Sequence, residues 1–117
     1  MYEQLEIEIQ EQRGPITVIA LKGRLDASGA QQLREQCSQL RKQSHKQVVV
    51  SLADVTFVAS SGFGTFLLLT EEFQKDGGKI VFTEISKSIM RVIELLNLDK
   101  FLALEDSVAK ARDLVGV

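Results

Sequence analysis

Two adjacent serines stand between an apolar run and a pair of closely spaced glycines, in Val55-Thr-Phe-Val-Ala-Ser-Ser-Gly-Phe-Gly64. The run before Ser60 and Ser61 is strand-like, and an apolar helical pattern (Phe63, Phe66, Leu67, Phe73) begins directly after them. Both hydroxyls thus fall where a helix starts, and backbone amides there have no partner inside the helix. Such a place favours an anion, including a phosphate carried by one of the serines. As a simple N-cap, Ser60 or Ser61 is worth about 1 kcal/mol. That role accounts for one serine and leaves Gly62 and Gly64 unexplained, since glycine in a first turn costs up to about 1 kcal/mol relative to alanine. Glycines there leave the backbone bare, so a partner protein or a phosphate can approach closely. Phe63, between them, reads either as core or as an exposed anchor.

The rest of the chain holds little other chemistry. The single histidine, His45, lies in a polar stretch beside Lys46, where it reads as a surface residue rather than a base for a nucleophile. The single cysteine, Cys37, falls on an apolar stripe and behaves as a small hydrophobe. One cysteine and one histidine cannot make a zinc site, and no other metal or cofactor is expected. Gly62-Phe-Gly64 is not followed by Gly-Lys-Ser/Thr, so it is no Walker loop. Most of the sixteen acidic residues fall on outward positions. The chain reads as a binding module, not an enzyme.

The elements that must position the serines follow from periodicity. Leu5–Ile9 alternates as a half-buried strand and Ile16–Leu21 is a fuller one, with a hairpin turn at Gln12 to Pro15. Lys22 to Asp26 reads as a loop, and Ser28-x-x-Gln31 as a capping box ahead of the stripe Ala30, Leu33, Cys37, Leu40. Arg41-Lys42 with Lys46 reads as a solvated helix end. Val48–Leu52 is a candidate central strand, and the serine-led helix stops at Asp76-Gly77-Gly78. Lys79–Thr83 is another strand. Ser86 or Ser88 opens a helix with inner face Ile89, Val92, Ile93 and Leu96, ended by Asn97. Phe101–Leu104 is a last strand and Asp106 to Val115 a last helix. The order β-β-α-β-α-β-α-β-α predicts an α/β fold: a mixed, mostly parallel sheet with an N-terminal hairpin and about four helices, mainly on one face. The serine turn then lies at the carboxyl end of a strand, where open α/β sheets present their sites.

The bulk numbers agree. The 117 residues fit one domain spanning 1–117, large enough to bury roughly two-thirds of its unfolded surface without disulfides. Hydrophobic and charged fractions of 44% and 26% are ordinary, and a net charge of −2 gives no reason to bind nucleic acid directly. The acidic, alternating start Met-Tyr-Glu-Gln-Leu-Glu is unlike a secretory signal, and no apolar run is long enough for membrane insertion. A lone cysteine suits a reducing compartment, and a cytoplasmic protein is expected.

Gly23-Arg-Leu-Asp26, then Val48 to Gly64 with its Ser-Ser-Gly-Phe-Gly turn, then Gly77-Gly-Lys-Ile-Val-Phe82, together resemble the STAS domain family. Within it the chain looks like the bacterial anti-sigma factor antagonists. The resemblance covers nearly the whole chain, including Ile89 to Phe101. It implies a protein whose unphosphorylated form binds an anti-sigma factor, itself a serine kinase, and so releases a sigma factor. It further implies phosphorylation of the serine just before the glycine, Ser61 rather than Ser60, and later dephosphorylation by a metal-dependent serine phosphatase. Gly23, Asp26, Ser60, Ser61, Gly62 and Phe63 map to the partner-binding face. Two positions depart from the pattern: Ala59 replaces an aspartate in the usual Asp-Ser-Ser-Gly turn, and Ser51 replaces an often acidic or amide residue. The alternative within the family is a non-switching STAS scaffold subunit of a stress-signalling complex or a lipid-transport ABC system. A nucleotide-binding protein is a third reading, against which the missing Walker loop counts.

Overall fold

The structure, a computed structural model, describes residues 4–115, so the first three residues of the acidic amino terminus lie outside it. The elements are β1 (Glu6–Arg13), β2 (Ile16–Leu25), α1 (Ala27–Lys42), β3 (Gln47–Val58), α2 (Ser60–Lys75), β4 (Lys79–Thr83), α3 (Lys87–Leu95), a 3-10 turn (Leu98–Lys100), β5 (Leu104–Glu105) and α4 (Val108–Val115). The sheet order is β1-β2-β3-β4-β5. β1 is antiparallel to β2 and every other pairing is parallel, because each later strand is reached through a crossover. The hairpin is tighter than expected. Arg13 pairs with Ile16, leaving only Gly14 and Pro15 in the turn, with Gly14 at φ +58°.

Alternation along the strands divides the core in two. One face of the sheet sends Ile19, Leu21, Val48, Val50 and Phe82 against Leu33 and Cys37 of α1, Phe66 and Phe73 of α2 and Ile93 of α3. The other sends Val18, Val49 and Val81 against Ala111 and Val115 of α4. Three helices therefore cover one face and the last helix covers the other.

Several local expectations are corrected. Lys22–Leu25 is not a loop but the end of β2, held there by pairing with an extended β3. No capping box forms. Asp26 caps α1 through Oδ1, which accepts from the Gly29 N–H at 2.9 Å; a carboxylate already at the cap position leaves Ser28 inside the helix and lets Gln31 donate to Glu35. Arg41 is not solvated. It reaches Glu72 at 3.6 Å and Asp76 at 3.0 Å and lies over the Phe73 ring, binding the end of α1 to the end of α2.

Ser86 does cap α3, accepting from the Ile89 N–H. The inner face narrows to Ile89 and Ile93, while Val92 and Leu96 are exposed. Asn97, at φ +57°, ends the helix as expected. The 3-10 turn then takes up the residues before Phe101, so the last strand shrinks to Leu104–Glu105. α4 begins at Val108 rather than Asp106, with Ser107 Oγ accepting from the Lys110 N–H.

Candidate binding and phosphoacceptor site

β3 is twelve residues long, more than twice the five of β4, and its pairing with β4 stops at Ser51 and Thr83. Beyond that point only β2 accompanies it, with Lys22 opposite Asp54, Gly23 opposite Val55, Arg24 opposite Phe57 and Leu25 opposite Val58. Two register shifts lie in this stretch, and at each of them β3 advances one residue more than β2. Gly23 sits at the second, at φ +105°, a backbone state that favours glycine. Thr56 Oγ1 donates to the Gly23 carbonyl across the same stretch. The result is a two-stranded arm beyond the main sheet, and the serine turn is its tip.

At the tip the Ala59 N–H donates to the Leu25 carbonyl at 3.0 Å, which places Asp26 beside the start of α2. Ala59, extended at φ −81°, is the N-cap residue and gives no side-chain hydrogen bond. The expectation that Ser60 or Ser61 caps this helix is thereby corrected: both are already helical. Parallel strand order brings the amino ends of α1, α2 and α3 to one edge of the sheet. Asp26 and Ser86 cap their helices there, whereas α2 has neither a capping side chain nor an acidic residue in its first turn. Ser60 and Ser61 are exposed, and neither hydroxyl makes a hydrogen bond among the described residues.

The two glycines differ. A Cβ on Gly62 would lie 2.8 Å from Val58 Cγ1 and 3.0 Å from the Leu25 carbonyl oxygen. Its bare backbone is therefore filled by this chain itself, not left open for a partner, because α2 leans directly on the ends of β2 and β3. A Cβ on Gly64 would meet nothing within 4 Å, so that backbone does stay open. Phe63 is core, packed edge-on against Phe66, and does not present its ring as an exposed anchor.

Sequence reasoning missed three neighbours. The Arg24 guanidinium lies 4.2 Å from the centroid of the exposed Phe57 ring, on the arm just before the turn. Its only sequence signal was its place inside Gly23-Arg-Leu-Asp26. Ser51, noted for lacking an acid, donates from Oγ to Glu84 at 3.0 Å, so a carboxylate reaches this position from the end of β4. Arg34 is the third. A groove of about 560 Å³ runs between α1 and α2, with Ser61 and Ala27 at its upper end, Thr65 and Gln31 below, then Arg34 and Glu72.

These features suit acceptance of a phosphoryl group from outside. Ser61 offers an exposed hydroxyl at a helix start, and the one histidine, His45, is remote from it, between α1 and β3 at the opposite edge of the sheet. Among the described residues, no group of three or more His, Cys, Asp or Glu could hold a metal ion. No helix among them is long and apolar enough to cross a membrane.

The chain is 25% identical over 108 residues to an anti-sigma F factor antagonist of Paenibacillus polymyxa, covering 92% of both proteins. Its fold is similar to an anti-sigma factor antagonist from Mycobacterium paratuberculosis, with a TM-score of 0.84 over 97% of this chain and 96% of that one at 22% identity. It is also similar to the Bacillus cell fate determinant SpoIIAA in its phosphorylated form, with a TM-score of 0.70, 21% identity, and coverage of 92% and 97%. The STAS domain model matches residues 6–111, and the chain belongs to the STAS domain family.

Proposed function

We propose that this STAS domain protein is an anti-sigma factor antagonist whose state is set by phosphorylation of Ser61. The observation that carries the reading is the arm tip: an exposed, unpartnered Ser61 hydroxyl on the first turn of a helix without a side-chain cap. The names of its relatives support the same reading, and one of them is described in a phosphorylated form. In this proposal the unphosphorylated protein works in the cytoplasm as a binding module rather than an enzyme. It docks its arm on an anti-sigma factor that is also a serine kinase, and a sigma factor is set free. Gly23 shapes the arm, Asp26 and Ser60 flank Ser61, and Gly62 and Phe63 fix the turn from beneath. The kinase supplies ATP and base; the Ser61 oxygen attacks the γ-phosphorus, ADP leaves and the hydroxyl proton passes to the kinase. The new group adds nearly two negative charges where helix amides tolerate them, so the fold survives while the docking face is spoiled. A metal-dependent serine phosphatase reverses the step.

The test is to incubate the protein with its cognate kinase and ATP and to map the product by mass spectrometry. One phosphate is expected, lost in Ser61→Ala and kept in Ser60→Ala. No incorporation, or incorporation at a remote residue, would sink the switch. Ser61→Asp should weaken kinase binding by roughly a few kcal/mol, more than the roughly 1 kcal/mol of a capping change, with an unaltered circular dichroism spectrum. A second reading, a non-switching STAS scaffold subunit, draws on Ala59, where the family's turn has an aspartate. Equal affinity of both forms for the partner would select it.

A further inference from the structure

Four of the seven exposed large hydrophobic residues among the described residues gather at the end of α3: Val92, Leu95, Leu96 and Phe101, the last three 75%, 55% and 63% exposed. Val92, Leu95 and Leu96, spaced i, i+3, i+4, share one side of the helix. Asn97 then reverses the chain, and the Phe101 N–H donates to the Leu98 carbonyl, which keeps Phe101 close to the helix end. Together the four expose on the order of 400 Å² of apolar surface. A standard interface buries about 800 Å² per partner, rather more than half of it apolar, so this patch supplies most of what one side of a dimer needs.

The charges around it decide the occupant. Arg91 and Lys100 lie beside Glu94 and Asp99, and none of the four takes part in an ion pair among the described residues. A strongly acidic or basic partner finds no field of one sign to match. A second copy related by a two-fold axis does, because each cation can face the other copy's carboxylate. Beside Phe101 a cavity of about 210 Å³, lined by Ile80 and Leu102 together with Thr70, Gln74, Lys79 and Lys100, offers a recess of mixed character at the edge of the patch.

We propose that the face formed by α3 and the 3-10 turn is the interface of a two-fold dimer of this chain. Gln74 lies thirteen residues along α2 from Ser61, roughly 20 Å along the axis, so the interface leaves both arm tips free. The proposal does not depend on what binds those tips. Sedimentation equilibrium of the full chain should give twice the chain mass at about 100 µM. Leu95→Glu and Phe101→Glu, both surface changes, should each return the single-chain mass with an unchanged circular dichroism spectrum. The double variants Arg91→Glu/Lys100→Glu and Glu94→Lys/Asp99→Lys should each dimerise at least tenfold more weakly, and an equimolar mixture of the two should dimerise again. A wild-type protein that stays monomeric, a dimer indifferent to both apolar changes, or a mixture that fails to reassociate would each overturn it.

Discussion

At the scale of single residues, the two glycines of the serine turn make opposite demands. Gly62→Ala would push a methyl group into Val58 and the Leu25 carbonyl and should cost about 1–3 kcal/mol. Gly64→Ala enters open space on a helix and should be neutral or stabilise by up to about 1 kcal/mol. Urea unfolding of the two variants checks the pair, and equal effects would contradict the packing described. Cys37 gives a pH signature. Burial pushes its thiol up to about 12, a rise that Arg41 opposes and Glu72 adds to. Below its ordinary value of 9.0 both folded and unfolded chains keep the proton, and this group costs no stability. Between 9.0 and about 12 only the unfolded chain releases it, so stability falls by about 1.4 kcal/mol per pH unit. Cys37→Ala removes that dependence, so its stability deficit against the wild type should shrink as pH rises from about 8 to about 10.5; a constant deficit would refute the assignment.

At the scale of elements, α2 is a helix with an omitted cap. Ala59→Asp places a carboxylate oxygen where the first free amides point, and it should raise stability by about 1 kcal/mol. Thermal unfolding measures this, and no gain would mean that those amides already have partners in the solvent. The omission also shows what sequence could and could not give. Periodicity identified every strand and helix in order, since apolar spacing reflects one face of each element, and Ser86 and Asn97 were legible as helix ends because their caps are local. Serines at a helix start look like caps from sequence alone. Which of Ala59, Ser60 and Ser61 is the extended residue depends on the Ala59 to Leu25 hydrogen bond, between residues 34 apart in the chain. The same holds for Arg41, whose acidic partners are 31 and 35 positions away on another helix. Capping and ion pairing across the fold are decided by tertiary geometry, and a local pattern carries no trace of it.

At the scale of the whole molecule, the two ends of α2 have different neighbours: the arm tip at its start, and the apolar face of α3 and its turn toward its end. A dimer through the second would present two copies of the first, so that a partner docking on the arm tip would meet two sites in one assembly and gain from effective concentration. The sheet's topology was legible because one hairpin and three crossovers admit few alternatives. The arm was not, since Lys22–Leu25 contains a glycine and two charges and looks like loop until β3 is seen to run beside it. Its two shifts of register have a geometric meaning. Each extra residue of β3 is taken up as a bulge, so Val55 after the first and Val58 after the second still face the same core as Val50 and Leu52. The twelve residues of β3 from Gln47 to Val58 therefore span only the ten of β2 from Ile16 to Leu25, and the serine turn begins level with the end of β2. The bulges twist the arm while keeping its apolar side on the core, so the serine turn is re-aimed without losing its packed base.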